Sequence, residues 1–332
     1  MKKNIAIVAG GYSSEFEVSL RSAENLYAFI DKEKYNAYMV VLKKDTWEVT
    51  IGEIGEDGEV GEVGTFLINK SDFSFRKGNN TINFDFAYIT IHGTPGEDGL
   101  LQGYFDMIGM PYSTCGVLTS ALTFNKYICN QFLKSQAIRV SDSILIRKGQ
   151  SFCSEQIAGK LSLPVFVKPN NSGSSFGVSK VTEPSQIQAA VEKAFLEGIE
   201  VIIERFIPGI ELTCGCYQSN HKIIALPVTE VVPKNDFFDY GAKYKGDVEE
   251  ITPARISVEL TEKIQRETEK IYQLIGAKGI IRIDYIVPPD ETPVLLEVNT
   301  TPGMTATSFI PQQVQAAGLN MKDMMTGIIE NK

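Results

Sequence analysis

Residues 281–286 read IRIDYI and residues 294–299 read VLLEVN, two apolar segments that carry polar side chains at alternate positions. This period of two predicts a pair of β-strands that bury one face. A Pro-Pro-Asp-Glu stretch between them predicts a turn at residues 290–291, so the strands would form an antiparallel hairpin. Since side chains two apart share a face, Arg282 and Asp284 would point the same way.

The predicted hairpin places two carboxylates face to face. With the turn at residues 290–291, Asp284 lies opposite Glu297 and Arg282 lies opposite Asn299. Like charges in directly opposed positions destabilise a sheet, but a divalent cation between them would reverse the effect. Two carboxylates, an amide oxygen and waters suit Mg²⁺, and the arginine suits an anionic oxygen beside it. The patch is also consistent with the solvated face of an amphipathic hairpin or with a local salt bridge.

The overall composition is that of a globular protein and not of a nucleic-acid binder. The chain has 332 residues, 43% hydrophobic and 22% charged, which is enough for a sizeable core in two domains or three small ones. There are 32 Lys and Arg against 41 Asp and Glu, a formal net charge of −9. Because binding to a nucleic-acid backbone needs a basic surface, we expect no nucleic-acid partner.

Cysteine and histidine usage limits the metal chemistry and the compartment. Five cysteines without a C-x-x-C pair argue against a disulfide framework or a zinc ribbon, and two histidines argue against a histidine-ligated transition metal. Any metal should therefore be a hard cation held by oxygen. The same cysteine usage makes a reducing cytoplasm the expected compartment. No apolar run approaches the roughly 18 residues of a spanning helix, so we expect no membrane association.

The first part of the chain alternates strand and helix patterns. Residues 4–9 are an apolar strand, Ser14 and Glu17 form a potential capping box for a following helix, and residues 35–42 and 84–91 are further buried strands. This β-α-β order predicts a parallel sheet.

Two other segments have patterns that bear on the fold. Residues 52–64 have glycine at every third position and five acidic residues, which predicts an acidic hairpin or surface loop and not collagen, since no proline is present. Residues 120–135 predict a single helix.

Two loops have the composition of phosphate-binding elements. Within residues 166–177 a strand carries Lys168 into a Gly/Ser-rich turn whose backbone amides could wrap an anion, although a plain hairpin loop fits as well. The long polar segment 232–250 contains Lys243 and Tyr244, which could close over an anion if the loop is a lid and not an ordinary surface loop. Neither segment is a P-loop or a G-x-G-x-x-G turn.

Polar turns also follow two of the N-terminal strands. Ligands bind at the carboxyl ends of strands in open α/β sheets, and residues 10–15 and 92–99 follow such ends. Glu15 is either an acid in the first turn of a helix or a partner for a substrate ammonium group. His92 belongs to the same rim, where a structural role is the more common one for a lone histidine.

Taken together and in this order, these motifs resemble those of the D-alanine–D-alanine ligases, a family of the ATP-grasp superfamily. The resemblance covers nearly the whole chain, with landmarks at residues 10–19, 92–99, 168–177, 239–244, 282–284 and 297–305. Two positions depart from the family pattern: Phe16 stands where a basic residue is frequent, and Gly241 stands where a glutamate is common in the lid.

The resemblance implies an ATP-grasp architecture of mixed α/β and α+β class. A parallel α/β domain would span residues 1–118, a central subdomain with the Gly/Ser-rich loop residues 119–208, and a C-terminal subdomain with the lid and the metal site residues 209–332. The last two would sandwich ATP. A cytoplasmic homodimer is implied as well.

The activity implied is the ATP-dependent joining of two D-alanine molecules through an acyl phosphate, which supplies a peptidoglycan precursor. Two Mg²⁺ ions, with Mn²⁺ as a substitute, would assist, and Tyr244 favours a dipeptide over an ester product. The alternative is another ATP-grasp ligase that joins a carboxylate to an amine, including a D-alanine ligase with a different second substrate. A nicotinamide dehydrogenase shares the α/β start but lacks its glycine motif.

The resemblance finally implies roles for single residues. Those that would contact ATP are Lys126, Lys168, Ser174, Glu204, Ile207, Glu211 and Lys243. Those that would bind magnesium are Asp284, Glu297 and Asn299. Those that would bind the amino acids are Glu15, His92 and Ser308. Those implied in catalysis are Glu15, Ser174 and Tyr244 as a hydrogen-bonded triad, with Arg282 and the Gly303 backbone as oxyanion donors.

Overall fold

The computed structural model describes residues 2–54, 60–171, 177–233 and 248–331. Its first sheet has the strand order β6-β5-β4-β3-β2-β1-β7. The elements of this region are β1 (Lys3–Gly10), α1 (Phe16–Phe29), β2 (Tyr35–Leu42), β3 (Trp47–Ile54), β4 (Val60–Asn69), β5 (Ser74–Lys77), β6 (Asn80–Ile82), β7 (Phe86–Ile89) and α2 (Leu100–Ile108).

The predicted parallel pairing is confirmed for three strands of this sheet. β1 lies between β2 and β7 and pairs with both in parallel. The remaining strands, β3 to β6, continue from β2 as an antiparallel meander of which only the β3–β4 hairpin was predicted, so the sheet is mixed. The predicted glycine-rich hairpin is confirmed by the pairing of Ile51 with Gly64, while its tip, residues 55–59, lies outside the described residues.

The predicted capping box at the start of α1 is wrong. The helix begins at Phe16, its N-cap is Glu15, and no side chain caps it. The Ser13 hydroxyl instead accepts a hydrogen bond from the Glu15 amide at 3.2 Å and donates one to the His92 carbonyl at 2.7 Å. The start of α1 is therefore fixed by the neighbouring turn after β7 and not by its own first turn.

The central sheet is antiparallel, with the strand order β10-β9-β11-β8. The elements here are α3 (Val117–Phe124), α4 (Lys126–Ser135), β8 (Ser143–Arg147), α5 (Ser154–Leu161), β9 (Val165–Pro169), β10 (Ser179–Val181), α6 (Ile187–Ala194) and β11 (Glu200–Arg205).

The single helix predicted for residues 120–135 is wrong, because the chain breaks at Asn125. That residue has an extended backbone, with φ −87° and ψ 95°, and its side chain caps α4 by accepting from the Ile128 amide. An asparagine side chain satisfies an otherwise orphaned helix amide and so favours a new helix start. Lys126 thereby becomes the first residue of α4.

The third sheet has the order β15-β14-β12-β16-β17, with β13 also paired to β12. Its elements are β12 (Ile210–Ser219), β13 (Lys222–Ala225), β14 (Thr229–Pro233), β15 (Val248–Ile251), α7 (Val258–Leu274), β16 (Ile280–Val287), β17 (Val294–Asn299), α8 (Phe309–Ala316) and α9 (Met321–Glu330).

The chain after β17 packs against the N-terminal sheet and its helix α1. One buried cluster joins Ile5 of β1 and Leu26 of α1 to Ile310 and Met325 of the C-terminal helices. Both backbone groups of Met304 are bound by α1: its amide donates to the Ser22 hydroxyl at 3.3 Å and its carbonyl accepts from the Asn25 amide at 2.6 Å. The loop that follows β17 is thus held against the N-terminal region.

None of the helices within the described ranges combines the length and the apolar character needed to cross a bilayer.

Candidate active site

From Arg282 to Asp284 the register of the β16–β17 hairpin is the one predicted. Arg282 pairs with Asn299 and Asp284 pairs with Glu297. Beyond Asp284 the register shifts, so that Tyr285 pairs with Leu295, an irregularity that the alternating pattern did not reveal. The four polar side chains therefore emerge together on one face, directly before the bulge.

The Asp284 carboxylate is held by two neighbours. Arg282 donates to it from Nε at 2.8 Å and from Nη2 at 2.7 Å, and the Thr213 hydroxyl on the adjacent β12 donates at 2.5 Å. Both charged side chains are buried. Burial lowers the pKa of Arg282, but the carboxylates of Asp284 and Glu297 raise it by more, so the guanidinium stays charged. The salt bridge considered from the sequence is present, and Thr213 is a partner that sequence reasoning missed.

Glu297 lies between two cations. Its carboxylate oxygens are 3.6 Å from Lys126 Nζ and 3.8 Å from Arg282 Nη2. Its side chain is 30% exposed, while that of Lys126 is 14% exposed. The break at Asn125 makes this contact possible, since it puts Lys126 at the start of α4 next to the end of β17.

A second buried ion pair lies between β9 and β11. Lys168 Nζ is 2.6 Å from Glu204, which also accepts from the Asn130 amide at 3.1 Å. Burial lowers the pKa of Lys168, but Glu204 and Glu297 raise it by more, and Glu211 adds to this effect, so the ammonium group persists. Ile207 follows β11 and is half-buried. The structure thus brings Lys168 and Glu204 together, with Glu211 close enough to act on the charge of Lys168, and the contacts of all the predicted ATP-side residues with nucleotide stay a prediction.

The turns after β1 and β7 form one unit. Besides the two bonds of Ser13, the Tyr12 amide donates to the Thr94 carbonyl at 2.9 Å. His92 is buried beside them. The predicted substrate residues Glu15 and His92 therefore lie on one interlocked rim, although neither substrate role is tested by this arrangement.

Glu97 lies among the predicted site residues, and sequence reasoning gave it no role. Its carboxyl accepts from the Gly93 amide at 2.7 Å. Burial raises the pKa of Glu97 to about 8, and Glu15 and Glu297 add to the rise while the Gly93 bond and Lys126 oppose it. The signal in the sequence was its place in the Gly-Glu-Asp-Gly turn, which alone does not say where its side chain points.

The loop after β17 places Gly303 beside Ser308. A Cβ at position 303 would lie 2.9 Å from the Ser308 hydroxyl oxygen, so a side chain there would displace Ser308. The hydroxyl is bound to Thr305, accepting from its amide at 3.1 Å and pairing with its hydroxyl at 2.7 Å. Next to Ser308, the Phe309 ring lies 5.3 Å from the Arg282 guanidinium carbon. The predicted oxyanion and carboxylate residues are thus neighbours.

Three predicted site residues and one departure from the family pattern fall outside the described residues. These are Ser174, Lys243, Tyr244 and Gly241. The predicted triad with Glu15 stays a prediction.

The hairpin suits a hard divalent cation in the chemistry of its donors. Within the described residues there is no group of three or more His, Cys, Asp or Glu side chains arranged for a metal. The predicted metal-binding set contains two such side chains, Asp284 and Glu297, and its third member is the amide of Asn299. Mg²⁺ typically binds one or two carboxylates and takes its other oxygens from water and substrate phosphates, so Asp284, Glu297 and Asn299 fit that pattern. The nearby cations Arg282 and Lys126 offset the charge of the paired carboxylates without competing as ligands.

Replacing Glu97 by glutamine should change how the stability of the ligand-free protein depends on pH. The folded pKa is about 8 and the ordinary value is 4.5, so the unfolded chain loses this proton first as the pH rises. Between these values the free energy of unfolding of the wild type falls, by at most about 1.4 kcal/mol per pH unit from this group. In thermal denaturation, we expect the melting temperature of Glu97→Gln to rise relative to that of the wild type as the pH increases from about 5 to 8. A difference in melting temperature that stays constant across that interval would contradict the raised pKa of Glu97.

Two family models of known proteins match this chain. The model described as D-ala D-ala ligase N-terminus matches residues 4–115, and the model described as D-ala D-ala ligase C-terminus matches residues 132–330. A D-alanine–D-alanine ligase of Parabacteroides distasonis is 62% identical over 100% of this chain and 98% of its own length.

Solved structures are similar over the whole chain. The VanG D-Ala:D-Ser ligase from Enterococcus faecalis has a TM-score of 0.85 at 32% identity and covers 99% of both chains. A D-alanine–D-alanine ligase from Bacillus anthracis, solved in complex with ATP, has a TM-score of 0.76 at 27% identity and covers 99% of this chain and 96% of the other. The predicted ATP-grasp fold is confirmed by these similarities.

Proposed function

Because this chain belongs to the family of D-alanine–D-alanine ligases, we propose that it joins two molecules of D-alanine into D-alanyl-D-alanine and converts one ATP into ADP and phosphate. The observation that carries the proposal is the patch of Arg282, Asp284, Glu297 and Lys126, where two opposed carboxylates meet two cations beside the Gly303 loop. The dipeptide would supply peptidoglycan synthesis. The cytoplasm, which provides ATP and keeps free cysteines reduced, is the compartment that we propose.

The first step is transfer of a phosphoryl group. An oxygen of the first D-alanine's carboxylate attacks the γ-phosphorus of ATP, the bond to the bridging oxygen breaks, and ADP leaves. Lys126 and Lys168 would hold phosphate oxygens by charge, and Lys243 of the 232–250 segment is a third candidate for this role. Glu15 would hold the ammonium group of this D-alanine so that its carboxylate faces the phosphates.

The second step forms the peptide bond. The neutral amine of the second D-alanine attacks the acyl carbon, the tetrahedral oxyanion collapses with loss of phosphate, and one amine proton passes to the departing phosphate. Arg282 and the Gly303 amide would stabilise the oxyanion by hydrogen bonds that strengthen as charge develops. Ser308, at the start of α8, would receive the second carboxylate, since the first amides of a helix attract anions. Exclusion of water by the 232–250 segment would protect the acyl phosphate.

Asp284, Glu297 and Asn299 are the residues that would hold magnesium, as one or two ions. A metal held there would supply positive charge that offsets the negative charge developing on the phosphates during transfer. Mn²⁺, which also prefers oxygen ligands, would substitute.

From membership of the same family we also propose a division into domains 1–118, 119–208 and 209–332. A homodimer is proposed for the same reason. Exposed apolar side chains on α2 and α3 support dimerisation, because Met107 is 88% exposed and Leu118 is 80% exposed. Exposed apolar residues that form a contiguous patch mark an interaction surface, and a second copy of the chain is the partner that we propose for it.

The proposal is tested by ADP release with a panel of D- and L-amino acids, followed by mass spectrometry of the product. We expect ADP formation to require D-alanine and to match the dipeptide formed in amount. ADP formation with another carboxylate and amine, but not with D-alanine alone, would contradict the proposal and favour a different ATP-grasp ligase.

The second substrate is tested separately, because a solved relative with a TM-score of 0.85 is a D-Ala:D-Ser ligase. In an equimolar mixture of D-alanine, D-serine and D-lactate, we expect D-alanyl-D-alanine as the main product. D-alanyl-D-serine or an ester as the main product would refute this choice and leave the ligation chemistry standing.

A further inference from the structure

The turn after β7 contains a carboxyl group that the proposed reaction does not use. The Gly93 carbonyl accepts hydrogen bonds from the amides of Gly96 and Glu97, both at 2.9 Å. The Glu97 carboxyl closes the same turn from the other side by accepting from the Gly93 amide at 2.7 Å. Both backbone groups of Gly93 are therefore bound within the turn, and one of the bonds depends on a side chain.

This closed turn is joined directly to the segment that carries Glu15. The carbonyl of His92, the residue before Gly93, accepts from the Ser13 hydroxyl at 2.7 Å, and the same hydroxyl accepts from the Glu15 amide at 3.2 Å. A Cβ on Gly93, whose φ is +70°, would lie 2.8 Å from Ser13 Cβ, so the two loops meet closely at this point. A shift of Gly93 would therefore be transmitted through Ser13 to Glu15.

The far end of the turn has its own support. The buried Gln102 side chain donates to the Gly96 carbonyl at 2.6 Å and to the Thr114 hydroxyl at 3.0 Å. Loss of the Glu97 carboxyl would leave these bonds in place and free only the Gly93 amide, next to His92. The expected effect is thus local to the rim that carries Glu15, and the turn as a whole would persist.

We propose that Glu97 is a positioning residue that, through the Gly93 amide and Ser13, fixes Glu15 for the ammonium group of the first D-alanine. This inference rests on the proposed function, because it takes Glu15 as the ammonium anchor. What the role needs is an oxygen acceptor at this position and not a negative charge. Glutamine, whose amide oxygen can accept from the same amide, should therefore replace it.

The test compares Glu97→Ala with Glu97→Gln in steady-state kinetics. Loss of a hydrogen bond to a charged or buried group typically corresponds to about tenfold in affinity. For Glu97→Ala we expect the KM for the first D-alanine to rise about tenfold, with the KM for ATP within about twofold of the wild type. For Glu97→Gln the KM for the first D-alanine and the KM for ATP should both stay within about threefold of the wild-type values. Asp98→Asn is the matched control, since this neighbouring carboxylate accepts from the Leu100 amide and not from Gly93, and it should leave both KM values unchanged.

An equal rise in the KM for the first D-alanine in both Glu97 variants would overturn the proposal, because it would show that the role depends on the negative charge of Glu97. Ser13→Ala provides a second route if Glu97→Ala does not fold, and an unchanged KM for the first D-alanine in that variant would also overturn it.

Hydrogen exchange of the ligand-free protein separates this inference from the proposed function. Faster exchange at residues 13–15 and 93 in Glu97→Ala supports the positioning role whatever the activity. If that faster exchange came without a rise in KM, the role of Glu15 as the anchor would fail instead. Unchanged exchange at these amides would overturn the positioning role.

Discussion

Replacing Arg282 by methionine is expected to lower kcat by roughly 10² to 10³-fold and to destabilise the protein by about 3 kcal/mol. The kinetic loss follows if the guanidinium stabilises the oxyanion. The loss of stability has a separate cause. Asp284 is buried and accepts both guanidinium bonds at 2.8 and 2.7 Å, so methionine would leave an uncompensated carboxylate beside Glu297.

Arg266→Met is the matched control for this substitution. Arg266 also pairs with a carboxylate, Glu262 at 3.1 Å, but the pair lies on the exposed face of α7. Exposed pairs of this kind contribute at most about 0.5 kcal/mol, and the control should keep full activity. Denaturant unfolding and steady-state kinetics measure both effects. Normal turnover of Arg282→Met would contradict the oxyanion role, and an unchanged free energy of unfolding would contradict the buried ion pair.

Glu297→Ala is expected to give a folded protein with ligase activity lowered by roughly 10² to 10³-fold. Its side chain is 30% exposed and its ion pairs are long, at 3.6 and 3.8 Å, so little stability should be lost. The activity should be lost because one of the two carboxylates proposed for magnesium is gone and the Lys126 ammonium group loses the carboxylate that lies 3.6 Å from it.

An ATP-dependent phosphate-release assay measures this effect. Asp290→Asn removes a carboxylate from the turn of the same hairpin, where it pairs with Arg139 at 2.9 Å, and should retain activity. Normal turnover of Glu297→Ala would show that the metal assignment is wrong. A loss of activity in Asp290→Asn as large as in Glu297→Ala would point to damage of the hairpin instead.

The hairpin could be predicted because its pattern is local. A period of two fixes which side chains share a face, and a turn at residues 290–291 predicts the pairing of Asp284 with Glu297. The structure has this pairing, but the pairs nearer the turn are shifted by one residue and a bulge after Asp284 restores the predicted register. The three parallel strands followed in the same way from buried apolar runs. The assignment of roles to Glu15, Lys168 or Ser308 came from family resemblance and not from such patterns.

What the sequence did not reveal depends on contacts between distant segments. Thr213 reaches Asp284 from a strand 71 residues away, and Asn130 reaches Glu204 over 74 residues. The break at Asn125 could have been suspected, since asparagine favours helix caps, but the apolar spacing on either side continued as one helix. Glu97 was visible as a residue of a polar turn, while its contact with Gly93 depends on how that turn folds.

The most direct test of the account is a crystal structure of the protein with ADP and Mn²⁺, in which anomalous scattering locates the metal. We predict metal within bonding distance of Asp284, Glu297 and Asn299, about 2.1 Å for the corresponding Mg²⁺ contacts, and bridging to phosphate oxygens. Metal bound only to the nucleotide and out of reach of both carboxylates, or metal at another site altogether, would contradict it.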